Sequence, residues 1–485
     1  MLAIRLAAGR RVPEVLALPV AAAPTDASVG VVLPTPLTQD LAAEADAYLT
    51  DCAHSGQAGV VKTLPRPLGR PRRLMLVGIG EAGWRAAGAA VVRAADRATS
   101  ITFALPADIE PADVRAVAEG AWLAGYRYRL AADRADAPPK LARLTLLVSD
   151  PDTYGDALAQ ARSVVDATVL ARDLTNTSSQ TKTPAWFADQ IGKAAARHPG
   201  LTLSVRDPRE LAAGGFGGIL AVGTGSTRGP RLVELSWRPP RARTHVVLVG
   251  KGITFDTGGI CIKTREGMKL MRKDMAGAAA VTAATVGAAA LRLPVRVTAL
   301  APLAENMLSG AAYRPGDVVR HYGGLTTEVL NTDAEGRVVL ADALAYAVAK
   351  LKPDLLVDLA TLTGAASVAL GKQTGALFAE SDELARALAA AGEAVGERLW
   401  RMPFVEDYVP AIASEVADLN NAADIGAGSV TAALFLREFV GDARDRWAHL
   451  DMSAPAWSES ADGELAKGAT GFGVRTLLHW LDTLG

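Results

Sequence analysis

Short apolar runs alternate along this chain with longer, Ala-rich stretches. Arg73–Val77 reads as a strand and Trp84–Ala98 as a helix; Val114–Ala124 is a second helical stretch and Leu144–Val148 a short, nearly all-apolar strand. Runs apolar on both faces are what strands in a covered parallel sheet require. Asp156–Leu174 reads as one helix, broken by the polar stretch Ser178–Pro184. The rhythm then resumes with a strand at Val246–Val249, a helix at Asp274–Leu291, a strand at Val295–Leu300, a helix at Val338–Ala349 and a strand at Leu355–Leu359. The helix at Asp274–Leu291 has small residues on every face, which predicts deep burial.

Strands alternating with helices predict an α/β fold, with mostly parallel or mixed sheets flanked by helices. The pattern divides into an N-terminal domain over residues 1–155, a connecting helix over 156–174 and a larger C-terminal domain over 175–485. The chain shows no internal repeat and no low-complexity tract. Ligands of open α/β sheets bind beyond the carboxyl ends of the strands. Here that rule points to the loops after Val249, Leu330 and Leu359.

Composition sharpens the picture in three ways. Hydrophobic residues make up 50% of the 485 and charged residues 21%, enough apolar surface to build a core and to exclude disorder for most of the chain. Lys and Arg total 51 against 52 Asp and Glu, so no global field draws in nucleic acid or an anionic membrane. The two cysteines, Cys52 and Cys261, cannot make a disulfide framework and suit a reducing, cytoplasmic compartment. No run reaches the roughly 20 apolar residues of a membrane helix. The longest charge-free windows, Leu211–Thr227 and Met275–Leu291, are diluted by Gly, Ala and Thr. Val15–Ala23, preceded by Arg10 and Arg11, faintly resembles a secretory leader, but Glu14 borders it and Pro19 interrupts it.

Gly78-Ile79-Gly80-Glu81-Ala82-Gly83 has the spacing of a dinucleotide fingerprint between a strand and a helix. The acidic residue expected about 20 positions on is not clearly placed at a strand end, and close helix–strand packing selects the same glycines. The packing reading is preferred, and no nucleotide site is assigned.

The informative chemistry lies in two segments. Val249–Asp274 carries Lys251 and Asp256 into a Gly-rich loop, with Lys263 after them and Asp274 opening the Ala-rich helix. Asn331–Arg337 carries Asp333 and Glu335 two positions apart, which in an extended stretch puts both carboxylates on one side. Four converging carboxylates would repel one another and resist burial unless compensated. Divalent cations are the simplest compensation, and a pair of them activates water for hydrolysis. All six histidines lie outside both segments, so oxygen ligation of Mn²⁺, Mg²⁺ or Zn²⁺ fits better than a His-rich zinc site. Lys251 could ligate only as the neutral amine. Each feature also has a structural reading: Asp274 as a helix-dipole partner, Thr332-x-x-Glu335 as a capping box, Lys251 and Lys263 as solvated side chains. That all of them fall on two glycine-punctuated loops after strands favours chemistry.

These stretches resemble the signatures of the leucine aminopeptidase (cytosol aminopeptidase) family: Val249–Gly259, Met271–Val281, Asn331–Leu344, Asp358–Ala365 and Trp447–Asp451. The resemblance covers roughly residues 170–485; the first 150 residues share only the strand–helix rhythm, and the family's N-terminal domain is macro-domain-like. It implies a metallo-exopeptidase that releases N-terminal amino acids, leucine among them, from peptides. It further implies that Asp256 and Glu335 bridge two metals, that Lys251 and Asp274 complete one site and that Asp333 completes the other. Lys263 would face the developing oxyanion, and Arg337 would hold a bicarbonate acting as general base. Met271, Thr361, Leu362, Thr363 and Gly364 would line the substrate cleft.

The chemistry agrees, because a cation and Lys263 can stabilise charge where it develops and a free α-amine bound to the other metal would confine cleavage to the first peptide bond. The chain departs from the family at Thr257 and Cys261, where serine is usual. It also departs in the loop Asn176–Pro184, which lacks the usual extra prolines and second asparagine, and at Met452–Ala454. Two other functions are weighed: a DNA-binding or recombination-accessory scaffold with the same fold, and a two-metal phosphoesterase. The near-neutral charge disfavours the first, and the two lysines disfavour the second. Family resemblance also implies a homohexamer.

Overall fold

The computed structural model describes residues 2–9, 12–21, 30–31, 39–81, 83–131 and 140–485. Arg10, Arg11, Ala22, Ala23 and Ala82, which entered the leader-like and glycine-motif readings, lie outside the described residues. The chain forms two compact units, residues 1–165 with 459–467, and residues 166–458 with 468–485. The helix Gly155–Asn176 runs through the chain boundary between them. Among the described residues no helix is long and apolar enough to cross a membrane.

The first unit is built on a sheet of β1 (Ala3–Ala7), β2 (Val15–Ala21), β3 (Gly30–Val31), β4 (Val61–Pro65), β5 (Arg73–Gly80), β6 (Ser100–Ala104) and β7 (Arg143–Leu147). Its order is β1-β7-β6-β2-β5-β4, parallel except for β4, with β3 antiparallel at the end of β2. Most of the leader-like run, Val15–Ala21, forms a sheet strand buried from Val15 to Val20. The glycines of the dinucleotide-like motif have a packing reason: a side chain at Gly78 would put its first carbon 2.0 Å from the Gln57 carbonyl oxygen. The following helix is shorter than the apolar pattern suggested, Trp84–Arg93, because the chain turns out at Ala94 and Asp96 adopts φ 49°.

The second unit holds a larger mixed sheet. Its strands are β8 (Leu201–Arg206), β9 (Arg231–Trp237), β10 (His245–Gly250), β11 (Gly252–Asp256), β12 (Arg296–Asn306), β15 (Leu355–Ala360), β16 (Gly375–Ala379), β17 (Leu399–Arg401) and β19 (Trp447–Asp451). The intervening β13 (Val318–Arg320), β14 (Thr326–Glu328) and β18 (Leu419–Asn420) make a small separate sheet. The main order is β17-β16-β19-β15-β10-β12-β9-β8, with β11 alongside the end of β12. Strands β19, β15, β10 and β12 are mutually parallel, so their carboxyl ends emerge on one edge.

The Ala-rich helix, Ala276–Ala290, is buried along almost its whole length. Small residues let it lie directly on the sheet: a side chain at Gly277 would come 2.1 Å from the Leu359 carbonyl oxygen, and one at Gly250 2.4 Å from the Gly277 carbonyl oxygen. That close seat holds the helix start against the ends of β10 and β15. The expected start at Asp274 is two residues early, because Met271–Lys273 form a 3-10 turn that Asp274 closes. The later helix begins at Glu335 rather than Val338 and ends in a π-helical turn, Ala347–Leu351.

Candidate active site

Five strand ends supply the side chains that meet at one place. Lys251 follows β10, Asp256 ends β11, Asn306 ends β12, Thr361 follows β15 and Asp451 ends β19. The ends of β10 and β15 are among the loops the topological rule selected. Leu330 does not end a strand, and the segment after it is held instead by Asn421, whose side chain accepts from Leu330 N at 2.8 Å and donates to Asn331 O at 2.7 Å.

Asp256, Asp333 and Glu335 each offer an oxygen to a cluster within 4.8 Å. The extended-strand argument for Asp333 and Glu335 does not hold. Asp333 lies in a turn, its N–H donating to Asn331 Oδ1 at 2.8 Å, and Glu335 is the first residue of a helix. Turn and helix start, not strand pleating, bring the two carboxylates together. Nor does Thr332-x-x-Glu335 form a capping box. The Thr332 hydroxyl donates to Gly258 O at 2.6 Å and accepts from Cys261 N at 2.9 Å, which pins one glycine loop to the other segment.

Two lysines run into the carboxylates. Lys251 Nζ lies 2.8 Å from Asp274 Oδ2, 2.9 Å from Glu335 Oε1 and 3.0 Å from Thr361 O. Its path crosses Gly336, where a side-chain carbon would stand 2.4 Å from Lys251 Cε. Lys263 Nζ lies 2.8 Å from Asp256 Oδ2 and also pairs with Asp333 Oδ1. The loop that returns Lys263 turns through Gly258 and Gly259, with φ of 86° and 64°, a region that favours glycine. Asp274 accepts the Thr361 hydroxyl at 2.7 Å.

Four carboxylates therefore face two ammonium groups, and the protonation equilibria register the imbalance. Burial, reinforced by Asp256, pushes Glu335 up to about 7 despite Lys251. Burial, with Asp256 and Glu335, pushes Asp333 up to about 6. Asp274 is raised by burial as well. Burial opposes the charge on Lys251 and Lys263, but the carboxylates outweigh it and hold both above the ordinary lysine range. Glu335 Oε2 is buried without a hydrogen-bond partner among the described residues. A surplus of buried acidic oxygens, one of them orphaned, is the donor set a divalent cation fits. Arg337 is buried beside Glu335 and Asp451, its Nε also without a partner; burial lowers it to about 10.

Asn306 and Tyr313 carried no signal in the sequence pattern, while Asp451 entered only as the end of a family-like stretch. Asn306 donates to Asp256 Oδ1 at 2.8 Å and to Thr332 O at 3.0 Å, and Tyr313 donates to Thr332 O at 2.8 Å. Asp451 organises the expected substrate loop. It accepts from Leu362 N at 3.1 Å, from Thr363 N at 3.0 Å and from the Thr363 hydroxyl at 2.6 Å. Thr363 caps the helix that Gly364 opens. Met271 starts the turn that Asp274 closes, accepting from Asp274 N at 3.2 Å. Of the two positions where serine is usual, Thr257 uses its hydroxyl, donating to Asn306 O at 2.9 Å and accepting from Gly259 N at 3.1 Å. Cys261 meets Thr332 through its backbone.

Residues 169–478 match the model of the catalytic domain of the cytosol aminopeptidase family, and residues 27–130 match that family's N-terminal domain. The chain belongs to the cytosol aminopeptidase family. It is similar to the probable cytosol aminopeptidase of Streptomyces avermitilis, at 44% identity over 89% of this chain and 88% of the relative. It is 42% identical to that of Geobacter sulfurreducens, over 86% of this chain and 87% of the relative. Among solved structures, it resembles the bottromycin maturation enzyme BotP in complex with Mn, with a TM-score of 0.83, 40% identity and coverage of 97% and 99%. It also resembles a mutant of tomato leucine aminopeptidase, with a TM-score of 0.86, 32% identity and coverage of 100% and 97%. As a cytosol aminopeptidase family member, the protein is a metal-dependent exopeptidase that hydrolyses peptides from their amino end. These relatives give no support to the scaffold reading.

Proposed function

We propose that this aminopeptidase works with two divalent cations per subunit, Mn²⁺ or Zn²⁺ with Mg²⁺ as a substitute. Asp256 and Glu335 would be shared between them, Lys251 and Asp274 would complete one site, and Asp333 would complete the other. The orphaned, buried Glu335 Oε2 within the acidic cluster carries this reading. When bound, the cations supply Lewis acidity and a nucleophilic water for peptide hydrolysis.

The chain's own residues do the rest. The Lys263 ammonium would face the scissile carbonyl oxygen and stabilise charge developing there. The Arg337 guanidinium, with its unpaired Nε, holds a bicarbonate that serves as general base. Met271, Thr361, Leu362, Thr363 and Gly364 line the cleft, and Asp451 fixes the backbone of that loop. Leucine is among the N-terminal residues released, and the enzyme acts in the cytoplasm. Subunits assemble as a homohexamer, for which apolar side chains exposed near the site, Ile260, Ile262, Leu308 and Leu330, supply contact surface.

The test is hydrolysis of leucine p-nitroanilide with graded Mn²⁺, comparing wild type with Lys263→Ala and Asp333→Asn. Both variants are expected to stay folded and lose turnover. Wild-type turnover in either would refute the assigned roles, and a monomer in sedimentation would refute the hexamer.

A further inference from the structure

The polar loop between helices Gly155–Asn176 and Pro184–Ala195 hides an unusual group. Lys182 is fully buried, among the largest side chains shielded from solvent. Its Nζ donates to Thr175 O at 3.0 Å and Arg272 O at 2.6 Å, and approaches Met275 Sδ at 3.1 Å. An ammonium has three donors and no acceptor, and here it meets three acceptors. Even as a neutral amine it keeps two N–H donors, one for each carbonyl. No carboxylate pairs with it among the described residues, and burial, with the Arg272 guanidinium nearby, pushes its pKa well below the ordinary lysine range. A buried charge without a counter-ion is costly, and a methionine would fill the space more cheaply.

What the amino group holds explains its presence. Arg272 and Met275 flank Asp274, and the Arg272 carbonyl belongs to the 3-10 turn that Asp274 closes. The same loop reaches the other arm of the site, because Ser179 Oγ donates to Thr254 O at 2.7 Å, two residues before Asp256. Inside the loop, Lys182 N and Thr181 N both donate to Ser178 O, at 2.9 and 3.0 Å, which fixes the lysine's origin. Thr183 caps the next helix through Trp186 N at 3.1 Å.

We infer that Lys182 is a positioning residue: its buried amino group staples the 3-10 turn to the end of helix Gly155–Asn176 and so sets where Asp274 presents its carboxylate. The staple is made by N–H donors and two backbone carbonyls, without touching substrate or Asp274. The inference rests on the reading of Asp274 as a metal ligand.

The experiment titrates Mn²⁺ into metal-free wild type and Lys182→Met, reading free Mn²⁺ by electron paramagnetic resonance, alongside melting temperatures and turnover at saturating Mn²⁺. Partners behind metal ligands typically matter about 10–100-fold in affinity. Lys182→Met is expected to bind the weaker-held Mn²⁺ about 10-fold or more less tightly and to need correspondingly more Mn²⁺ for turnover. A role confined to packing would lower the melting temperature and leave the Mn²⁺ affinity of the folded protein unchanged, and that result overturns the inference. If Lys182→Met does not fold, Lys182→Gln, whose shorter side chain draws its N–H donors back from the Arg272 carbonyl, is read the same way against wild type. Wild type that fails to take up Mn²⁺ would instead overturn the ligand reading of Asp274.

Discussion

Replacing Gly336 with alanine adds one methyl group at the most crowded point of the site. Its carbon would stand 2.4 Å from Lys251 Cε and 2.7 Å from Lys251 Nζ, well inside contact distance. Gly336 is the second residue of helix Glu335–Tyr346, so the backbone itself would welcome alanine, by about 1 kcal/mol. Overpacking a filled interior costs about 1–3 kcal/mol. The two nearly offset, so net destabilisation should stay within about 2 kcal/mol and the protein should fold. Lys251 cannot yield without leaving Asp274, Glu335 and the Thr361 carbonyl, because its side chain is buried among them. A shift of about 1 Å in a catalytic group costs on the order of 100-fold. Gly336→Ala should therefore lose about 100-fold in kcat/KM for leucine p-nitroanilide at saturating Mn²⁺, with a melting temperature only a few degrees lower. Near-wild-type kcat/KM in a folded Gly336→Ala protein would show that Lys251 does not need its observed place, and the reasoning would fail.

Asp451→Asn keeps the shape of a side chain that accepts from Leu362 N, Thr363 N, the Thr363 hydroxyl, Ser453 N and the Ser453 hydroxyl. Its amide nitrogen would face donors, so we expect about 1–3 kcal/mol lost in urea denaturation and a raised KM; an unchanged KM would argue against the loop's role in substrate contact. His245 bears on pH: burial, aided by Arg296, lowers it to about 4, while the unfolded chain binds a proton near 6.5. The native ring stays neutral as the unfolded one charges, so stability falls as pH drops from 6.5 toward 4, by no more than about 2 kcal/mol at pH 5. His245→Gln should flatten that slope; an identical slope would exclude His245 as its source.

Much of the site was legible because its chemistry is local in sequence. Lys251, Asp256, Lys263 and Asp274 sit within one glycine-rich stretch and Asp333, Glu335 and Arg337 within another, and four converging carboxylates are hard to explain without cations. The strand–helix rhythm likewise revealed the parallel sheet. What the pattern concealed was contributed at a distance. Asn306 and Asp451 reach the site because β12 and β19 share its edge; nothing near Asn306 in the chain marks that edge, and Asp451 entered only as the end of the family-like stretch Trp447–Asp451. Thr332 and Glu335 have capping-box spacing, yet the hydroxyl found a stronger role between Gly258 and Cys261 than at a helix end. Lys182 reads as one more solvated lysine in a polar loop until its burial is seen. Residues 459–467 join the first unit although they lie far down the chain, which contiguous reading cannot foresee.

The central claim is that Asp256, Asp274, Asp333 and Glu335, with Lys251, hold a pair of divalent cations. Crystals of the protein grown with Mn²⁺ and measured at the manganese absorption edge test it directly. The account predicts two anomalous peaks per subunit, both in contact with Asp256 and Glu335, one also with Asp274 and the other with Asp333. A single peak, or none among these carboxylates in an enzyme that still hydrolyses leucine p-nitroanilide, would contradict it.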